Sequence, residues 1–218
     1  MTDTHIPCRF GVRGFTHRIW NKSYYSAGLP PEWRYTFYSH RQTGLLIPAA
    51  VWRRRPELLA VWREESPPAF RPVLELPMAA LYGDLPEAAG DNAWLLGYLV
   101  RAGRGLSVRD IERLAQVCAH MPVTVDIAQA RERVGPALAA AGIGLCGRPA
   151  RGWPAQGPLA VSLLGSCDRT ILRTAIGALL ATAAPAGRAL FFTEPQTALA
   201  QIEEAHVLAD FLHMQPPG

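Results

Sequence analysis

The sequence predicts an α/β fold, a compact (β/α)8 TIM barrel in which parallel strands alternate with helices. The first observation behind this prediction is a series of eight short apolar runs, most of them continuously apolar, as expected for strands covered by helices. The second observation is that helical hydrophobic patterns lie between most of these runs. Eight such units favour closure into a barrel, although their spacing alone also allows an open sheet. A chain of 218 residues suits one domain, which we place at residues 1–218.

Each apolar run is long enough for a β-strand. The predicted strands are residues 8–13, 44–51, 70–76, 95–100, 122–127, 142–146, 159–164 and 189–193. The predicted helices are residues 31–42, 56–65, 107–120, 130–141, 168–184 and 196–214. Ser107, with Asp110 three residues later, resembles an N-terminal helix cap, and Gly135-Pro136 interrupts the alanine-rich pattern of residues 130–141.

Two of the βα units are degenerate. Residues 78–93 give a short helix at best. Residues 148–157 cannot form a regular helix, because Pro149, Gly152 and Pro154 interrupt them.

The composition describes a globular protein, with 49% hydrophobic and 18% charged residues. No apolar run approaches the roughly 20 residues that span a membrane, and the N-terminus lacks the segments of a secretory signal. The four cysteines are scattered without a CxxC pair, which indicates free thiols in a reducing compartment. The chain also lacks a GxxxxGK phosphate loop. We therefore expect a cytoplasmic protein with no membrane partner and no cofactor.

The basic charge is concentrated at the start of the chain. Residues 1–76 carry 11 basic and 6 acidic side chains, whereas the whole chain has a net charge of +4. An anion-binding face is one interpretation, and a solvated surface in an arginine-rich chain is the other, which we prefer. Within this third, Arg53, Arg54 and Arg55 follow Trp52, a combination suited to phosphate contact and base stacking. Nucleic-acid binding is thus an alternative that we do not favour.

Residues 11–30 read GVRGFTHRIWNKSYYSAGLP. They resemble the opening signature of the Domain of Unknown Function 72 family, roughly GTSGWSYPHWRGVFYPEGLP, at equal length. The matching positions are Gly11, Gly14, Trp20, Tyr25, Gly28, Leu29 and Pro30, with Phe15 in place of another aromatic residue. Weaker resemblance continues at residues 37–52, 66–71, 96–97, 110–119 and 189–212. The resemblance implies a (β/α)8 barrel and no particular reaction, since the family has no settled one.

The chain departs from the family where strands end, which is where barrel enzymes place their polar groups. Leu46 and Pro48 stand where the family has Glu and Asn, and Glu75 stands where it has Lys. The remaining departures are Asp126-Ile127-Ala128 for Glu-Phe-Arg, Ser162-Leu163-Leu164 for Arg-Leu-His, and Thr193-Glu194 for Asn-Asn. The resemblance therefore implies a retained scaffold with a dismantled or rebuilt site.

The substitutions suggest an internal ion pair. Glu75 faces strand ends that have lost polar partners, and an unpaired buried carboxylate is costly. We therefore predict a hydrogen-bonded pair between Arg13 and Glu75 that fills the strand ends as a plug. If the pair is fully buried, Arg13→Ala should cost roughly 3–5 kcal/mol.

An enzyme is the alternative from a different class. A hydrolase or phosphodiesterase-like site would use Arg13, His17, Glu75 and Asp126 as its candidate catalytic residues. Three carboxylates that end strands, Glu75, Asp126 and Glu194, would suit a divalent cation, but no histidine accompanies them, so we predict no metal site. Cys167 and Asp168 lack a base partner and make a poor nucleophile.

We therefore interpret the chain as a cytoplasmic TIM-barrel protein with a binding or assembly role. Its partner would be a small anionic ligand or another protein. The candidate ligand-binding residues are Trp20, Trp52 and Glu194.

Overall fold

The computed structural model describes residues 8–83, 94–103, 105–129 and 131–214. Within these residues eight strands alternate with helices, as the sequence predicts. The strands are β1 (Arg9–Val12), β2 (Leu46–Ile47), β3 (Val73–Pro77), β4 (Gly97–Ala102), β5 (Val123–Ile127), β6 (Gly144–Leu145), β7 (Leu159–Leu164) and β8 (Gly187–Phe192). The helices are α1 (Trp20–Ser23), α2 (Arg34–Ser39), α3 (Ala49–Trp52), α4 (Leu58–Glu65), α5 (Val108–Cys118), α6 (Arg131–Ala140), α7 (Arg169–Ala181) and α8 (Pro195–Met214).

All strand pairs that the structure describes are parallel. One sheet has the order β1-β8-β7 and the other β2-β3-β4-β5-β6. The two sheets also meet at both edges. An isolated parallel bridge joins Arg13 to Leu46 beside β1 and β2, and another joins Gly147 to Ser162 beside β6 and β7. The chain is thus a mixed α/β fold with parallel sheets whose edges adjoin.

The strands carry apolar side chains on both faces. The inner face, defined here by Leu46, Val73, Leu99, Val161 and Phe191, forms one buried cluster. The opposite face packs against the helices and forms a larger cluster, which includes Leu74, Val100, Val125 and Leu190. Burial on both faces explains why most predicted strands are continuously apolar rather than alternating.

The two prolines at residues 48 and 136 affect the chain differently from the prediction. The predicted strand 44–51 is wrong beyond Ile47, because Pro48 lacks the N–H needed to continue a ladder and instead precedes α3. Pro48 is therefore not a strand residue on the face of Leu46. Helix α6 runs through Pro136 although the sequence suggested an interruption. Glu132, whose carbonyl loses its helical partner there, is exposed, so water can satisfy it.

The two units predicted to be degenerate lack regular helices in their described parts. Residues Met78–Tyr82 form a 3-10 helix, and residues 84–93 lie outside the described residues. A single 3-10 turn, Pro149–Arg151, follows β6. Among the described residues, none of the helices combines the length and the hydrophobicity of a membrane-spanning segment.

Close packing explains two glycines of the opening motif. A Cβ on Gly11 would lie 2.1 Å from the carbonyl oxygen of Gly44, so no larger residue fits there. Gly14 has φ +83°, a conformation that favours glycine, and its amide donates to the carbonyl of Leu46 at 2.9 Å. Both glycines therefore help to join β1 to β2.

Candidate functional site

Five charged side chains meet on the inner face where the strands end. Glu75, Arg101 and Asp126 lie on β3, β4 and β5, and Arg101 pairs in register with Asp126. Arg13 follows β1 and bridges to the inner-face residue Leu46, and Arg148 lies two residues after the inner-face residue Cys146. Because side chains two apart on a strand share a face, all five point to one region. We call these five residues the ionic chain.

The ionic chain alternates in sign along its length. Arg13 binds Glu75 through two hydrogen bonds, Nε to Oε2 at 2.9 Å and Nη2 to Oε1 at 3.1 Å. Arg101 bridges the two acids, with Nη1 3.8 Å from Glu75 Oε1 and Nε 3.0 Å from Asp126 Oδ2. Arg148 then donates to Asp126 from Nε at 3.1 Å and from Nη2 at 2.5 Å.

Burial is unequal along the ionic chain. The carboxylates of Glu75 and Asp126 are only 8% exposed, whereas the side chains of Arg13 and Arg101 are 38% and 41% exposed. Paired guanidinium groups offset the cost of removing these two carboxylates from water. Although burial opposes the effect, the hydrogen bond and charge of Asp126 raise the pKa of Arg148.

The predicted pair of Arg13 and Glu75 is confirmed. Both acids accept hydrogen bonds from guanidinium groups, but Arg13 and Arg101 stay partly exposed, so these side chains fill the strand ends only in part. The sequence analysis did not identify Arg101 and Arg148, the other two arginines of the ionic chain. Arg101 could have been found, because it extends the apolar run of β4 on the same face as Leu99.

His17 lies apart from the acids. Its ring Nε2 lies 3.0 Å from the Arg13 carbonyl oxygen, to which it donates, and the ring centroids of His17 and Trp20 lie 4.8 Å apart at an angle of 75°. Burial lowers the pKa of His17. The described contacts thus place His17 as support for the turn after β1.

The candidate ligand-binding residues do not converge on one cavity. Trp20 and Trp52 are buried, and their indole N–H groups donate to the carbonyls of Pro195 and Glu75 at 2.9 Å each. Glu194 is exposed and lies beside Gly165, just before the start of α8. Both tryptophans therefore serve packing and fix the backbone around the ionic chain.

The arginine run after α3 faces water. Arg53, Arg54 and Arg55 are exposed, and Arg55 pairs with Glu57 at 3.1 Å. Trp52 is buried, so it offers no surface on which a base could stack. Among the described residues no group of three or more His, Cys, Asp or Glu side chains is arranged to hold a metal ion.

A cavity of about 300 Å3 opens beside the end of the ionic chain. Its charged lining residues are Arg101, Asp126, Arg148 and Arg151, and Trp153 completes one wall. Arg151 stands over the Trp153 ring at 5.3 Å from its centroid. We call this space the arginine cavity.

The degenerate unit after β6 builds part of the arginine cavity. The backbone N–H of Arg148 donates to the carbonyl of Trp153 at 2.8 Å, and Gly152 has φ +68° between them. This tight turn holds Arg151 and Trp153 over the strand ends. The sequence showed only that the segment lacks a helix, so both residues were missed.

No protein-family model matches the sequence, and no curated protein matches it. Solved structures do match. A DUF72 family protein from Thermotoga maritima MSB8 is 14% identical, with a TM-score of 0.58, and the match covers 94% of this chain and 99% of that one. A DUF72 family protein from Enterococcus faecalis V583 is 11% identical, with a TM-score of 0.62 and coverage of 97% of both chains. A second structure of the latter protein gives the same score over 93% of this chain and 97% of that one.

These likenesses confirm the resemblance predicted from residues 11–30. At such low identity they show the fold alone.

Proposed function

We propose that this chain, which has DUF72 family proteins as structural neighbours, is a closed (β/α)8 barrel that binds a small anion in the arginine cavity. The observation that carries the proposal is the charge of that cavity: Arg101, Arg148 and Arg151 line it against the single acid Asp126. Guanidinium groups bind phosphate and carboxylate oxygens through paired hydrogen bonds.

Contacts at the sheet edges support closure. The amide of Gly14 donates to the Leu46 carbonyl at 2.9 Å, and the amide of Gly147 donates to the Val161 carbonyl at 2.7 Å. Leu163 donates back to the Gly147 carbonyl at 3.0 Å. These bonds continue the parallel pattern across both gaps between the sheets, as a barrel requires.

The arrangement of acids favours binding over catalysis. Glu75 and Asp126 each accept hydrogen bonds from arginine, so neither is a free general base. The alternative hydrolase site of Arg13, His17, Glu75 and Asp126 has its histidine directed at a backbone carbonyl. The ionic chain thus holds the scaffold, and Arg151, which has no acidic partner among the described residues, is left for a ligand.

The cysteines fit the same interpretation. All four are unpaired, which supports a reducing compartment such as the cytoplasm. Burial raises the pKa of both Cys8 and Cys146 to about 12, so these thiols are poor nucleophiles.

The test is a calorimetric titration with inorganic phosphate at low ionic strength. We expect saturable binding that Arg151→Gln weakens about threefold to tenfold, because one charged contact is lost. The matched control is Arg173→Gln on the exposed side of α7, which should bind as the unaltered protein does. Absence of binding, or equal loss in both variants, would contradict the proposal.

A second variant should change the affinity for phosphate in the opposite direction. Asp126→Asn removes the acid that neutralises Arg101 and Arg148, so phosphate affinity should rise. The fold should lose about 1–3 kcal/mol of stability, because charged hydrogen bonds become neutral. A lower phosphate affinity in a folded Asp126→Asn protein would count against anion binding here.

A further inference from the structure

We propose that the bound anion is the phosphate of an organic monoester, and that its apolar group lies in a second cavity beside the arginine cavity. This inference rests on the anion-binding function proposed above. The second cavity has a volume of about 630 Å3 and shares Ala128 and Trp153 with the arginine cavity. The two spaces therefore adjoin, and the proposed ligand would extend from one into the other. We call the second space the α6 cavity.

Small side chains on α6 create this space. Gly135 and Ala139 are four residues apart and so lie on one face of the helix, and both line the α6 cavity. Leu145 forms its floor, close enough that a Cβ on Gly135 would lie 3.3 Å from the Leu145 Cδ1 atom. The ring of Pro136 adds a further apolar wall. The surface suits a flat apolar group.

The charged residues of the α6 cavity do not form a second site for an anion. Arg131 is committed to the protein, since it donates to the backbone carbonyls of Cys146 at 2.6 Å and Pro154 at 2.5 Å. Its guanidinium also lies 5.6 Å from the centroid of the Trp153 ring. Glu132, at the rim, is acidic and exposed. The ligand should therefore carry its charge at one end only.

The arginine cavity favours a dianion at that end. The ionic chain and Arg151 together hold four arginines and two acids, a net charge of +2, and three of these arginines line the cavity. A phosphate monoester carries about −1.5 to −2 charges at pH 7, whereas a carboxylate carries one. An aromatic phosphate monoester thus matches both the charge of one cavity and the apolar surface of the other.

The experiment compares inorganic phosphate, phenyl phosphate and benzoate by calorimetry on the full chain. We expect phenyl phosphate to bind about tenfold more tightly than inorganic phosphate, because the ring leaves water for the α6 cavity. Benzoate should bind more weakly than phenyl phosphate.

The variant Ala139→Leu fills the α6 cavity with a residue that favours helix. It should abolish the preference for phenyl phosphate and leave the affinity for inorganic phosphate unchanged. The matched control is Ala140→Leu, which adds the same side chain at an exposed position that does not line either cavity. It should retain the preference. In the unaltered protein, nuclear Overhauser contacts should join the phenyl protons to the Ala139 methyl group, which tests the placement without any substitution.

Each failure has a distinct meaning. Equal affinities for phenyl phosphate and inorganic phosphate would overturn this inference and leave anion binding in place. A preference that survives Ala139→Leu, or contacts to another methyl group, would also overturn it. Tighter binding of benzoate would overturn the choice of a phosphate ester. If none of the three probes binds, both the inference and the proposed function are wrong.

Discussion

At the scale of single residues, the pair of Arg13 and Glu75 follows from two departures from the family pattern, a gained arginine at residue 13 and a glutamate in place of lysine at residue 75. The structure changes its expected energy, because the Arg13 side chain is 38% exposed and Arg101 lies 3.8 Å from the same carboxylate. The condition of full burial, and with it the cost of roughly 3–5 kcal/mol, therefore does not hold. We expect Arg13→Ala to lower the free energy of unfolding by about 1–3 kcal/mol, measured by urea denaturation.

The control for this prediction is Arg18→Ala, which removes an exposed arginine from the turn that follows β1. It should change stability by less than about 0.5 kcal/mol. An Arg13→Ala protein as stable as this control would mean that the bidentate contact contributes nothing.

The burial of His17 predicts that the stability of the fold depends on pH. Burial lowers the pKa of His17 in the fold below its ordinary value of 6.5. The unfolded chain therefore binds more protons between these two pKa values, so stability falls as the pH drops below about 6.5. The melting temperature should decrease from about pH 7.5 to pH 5, and His17→Gln should reduce that decrease.

Only part of the pH effect belongs to His17. Burial also lowers the pKa of His206, although the charge of Asp210 opposes this. His206→Gln should therefore reduce the decrease as well, and the two substitutions together should reduce it more than either alone. A His17→Gln protein with an unchanged profile would refute the role of His17.

At the scale of elements, the start of helix α5 is determined by residues that are close together in the sequence. Ser107 accepts the Asp110 amide at 3.2 Å, and the Asp110 carboxylate accepts the Ser107 amide at 2.8 Å. Ser107→Ala should cost about 1 kcal/mol of stability, since the helix start loses a capping group. The control is Thr174→Ala, whose hydroxyl bonds the Thr170 carbonyl inside α7 and caps nothing. Equal effects of both variants on thermal unfolding would contradict the capping role.

At the scale of the whole molecule, closure of the barrel can be tested by hydrogen exchange. We call the two places where the sheet edges adjoin the seams. In a closed barrel the seam amides of Gly14, Gly147 and Leu163 should exchange their hydrogens only when the strands themselves open. Their exchange free energies should then match that of the Val73 amide, which donates to the Leu45 carbonyl within one sheet at 2.8 Å. Exchange at the seams about a hundredfold faster than at Val73 would indicate an open sheet edge.

The sequence by itself determined the order of strands and helices and the cap at Ser107. These features depend on short-range periodicity and on local capping groups, and both can be read along the chain. The pairing of Arg13 with Glu75 was predicted from the departures of this chain from the family pattern. Only the tertiary structure decided that Arg101 and Arg148 share Asp126 and that Arg151 and Trp153 stand over the strand ends. Those contacts depend on register between strands and on the path of a turn, which are set by packing between residues far apart in sequence.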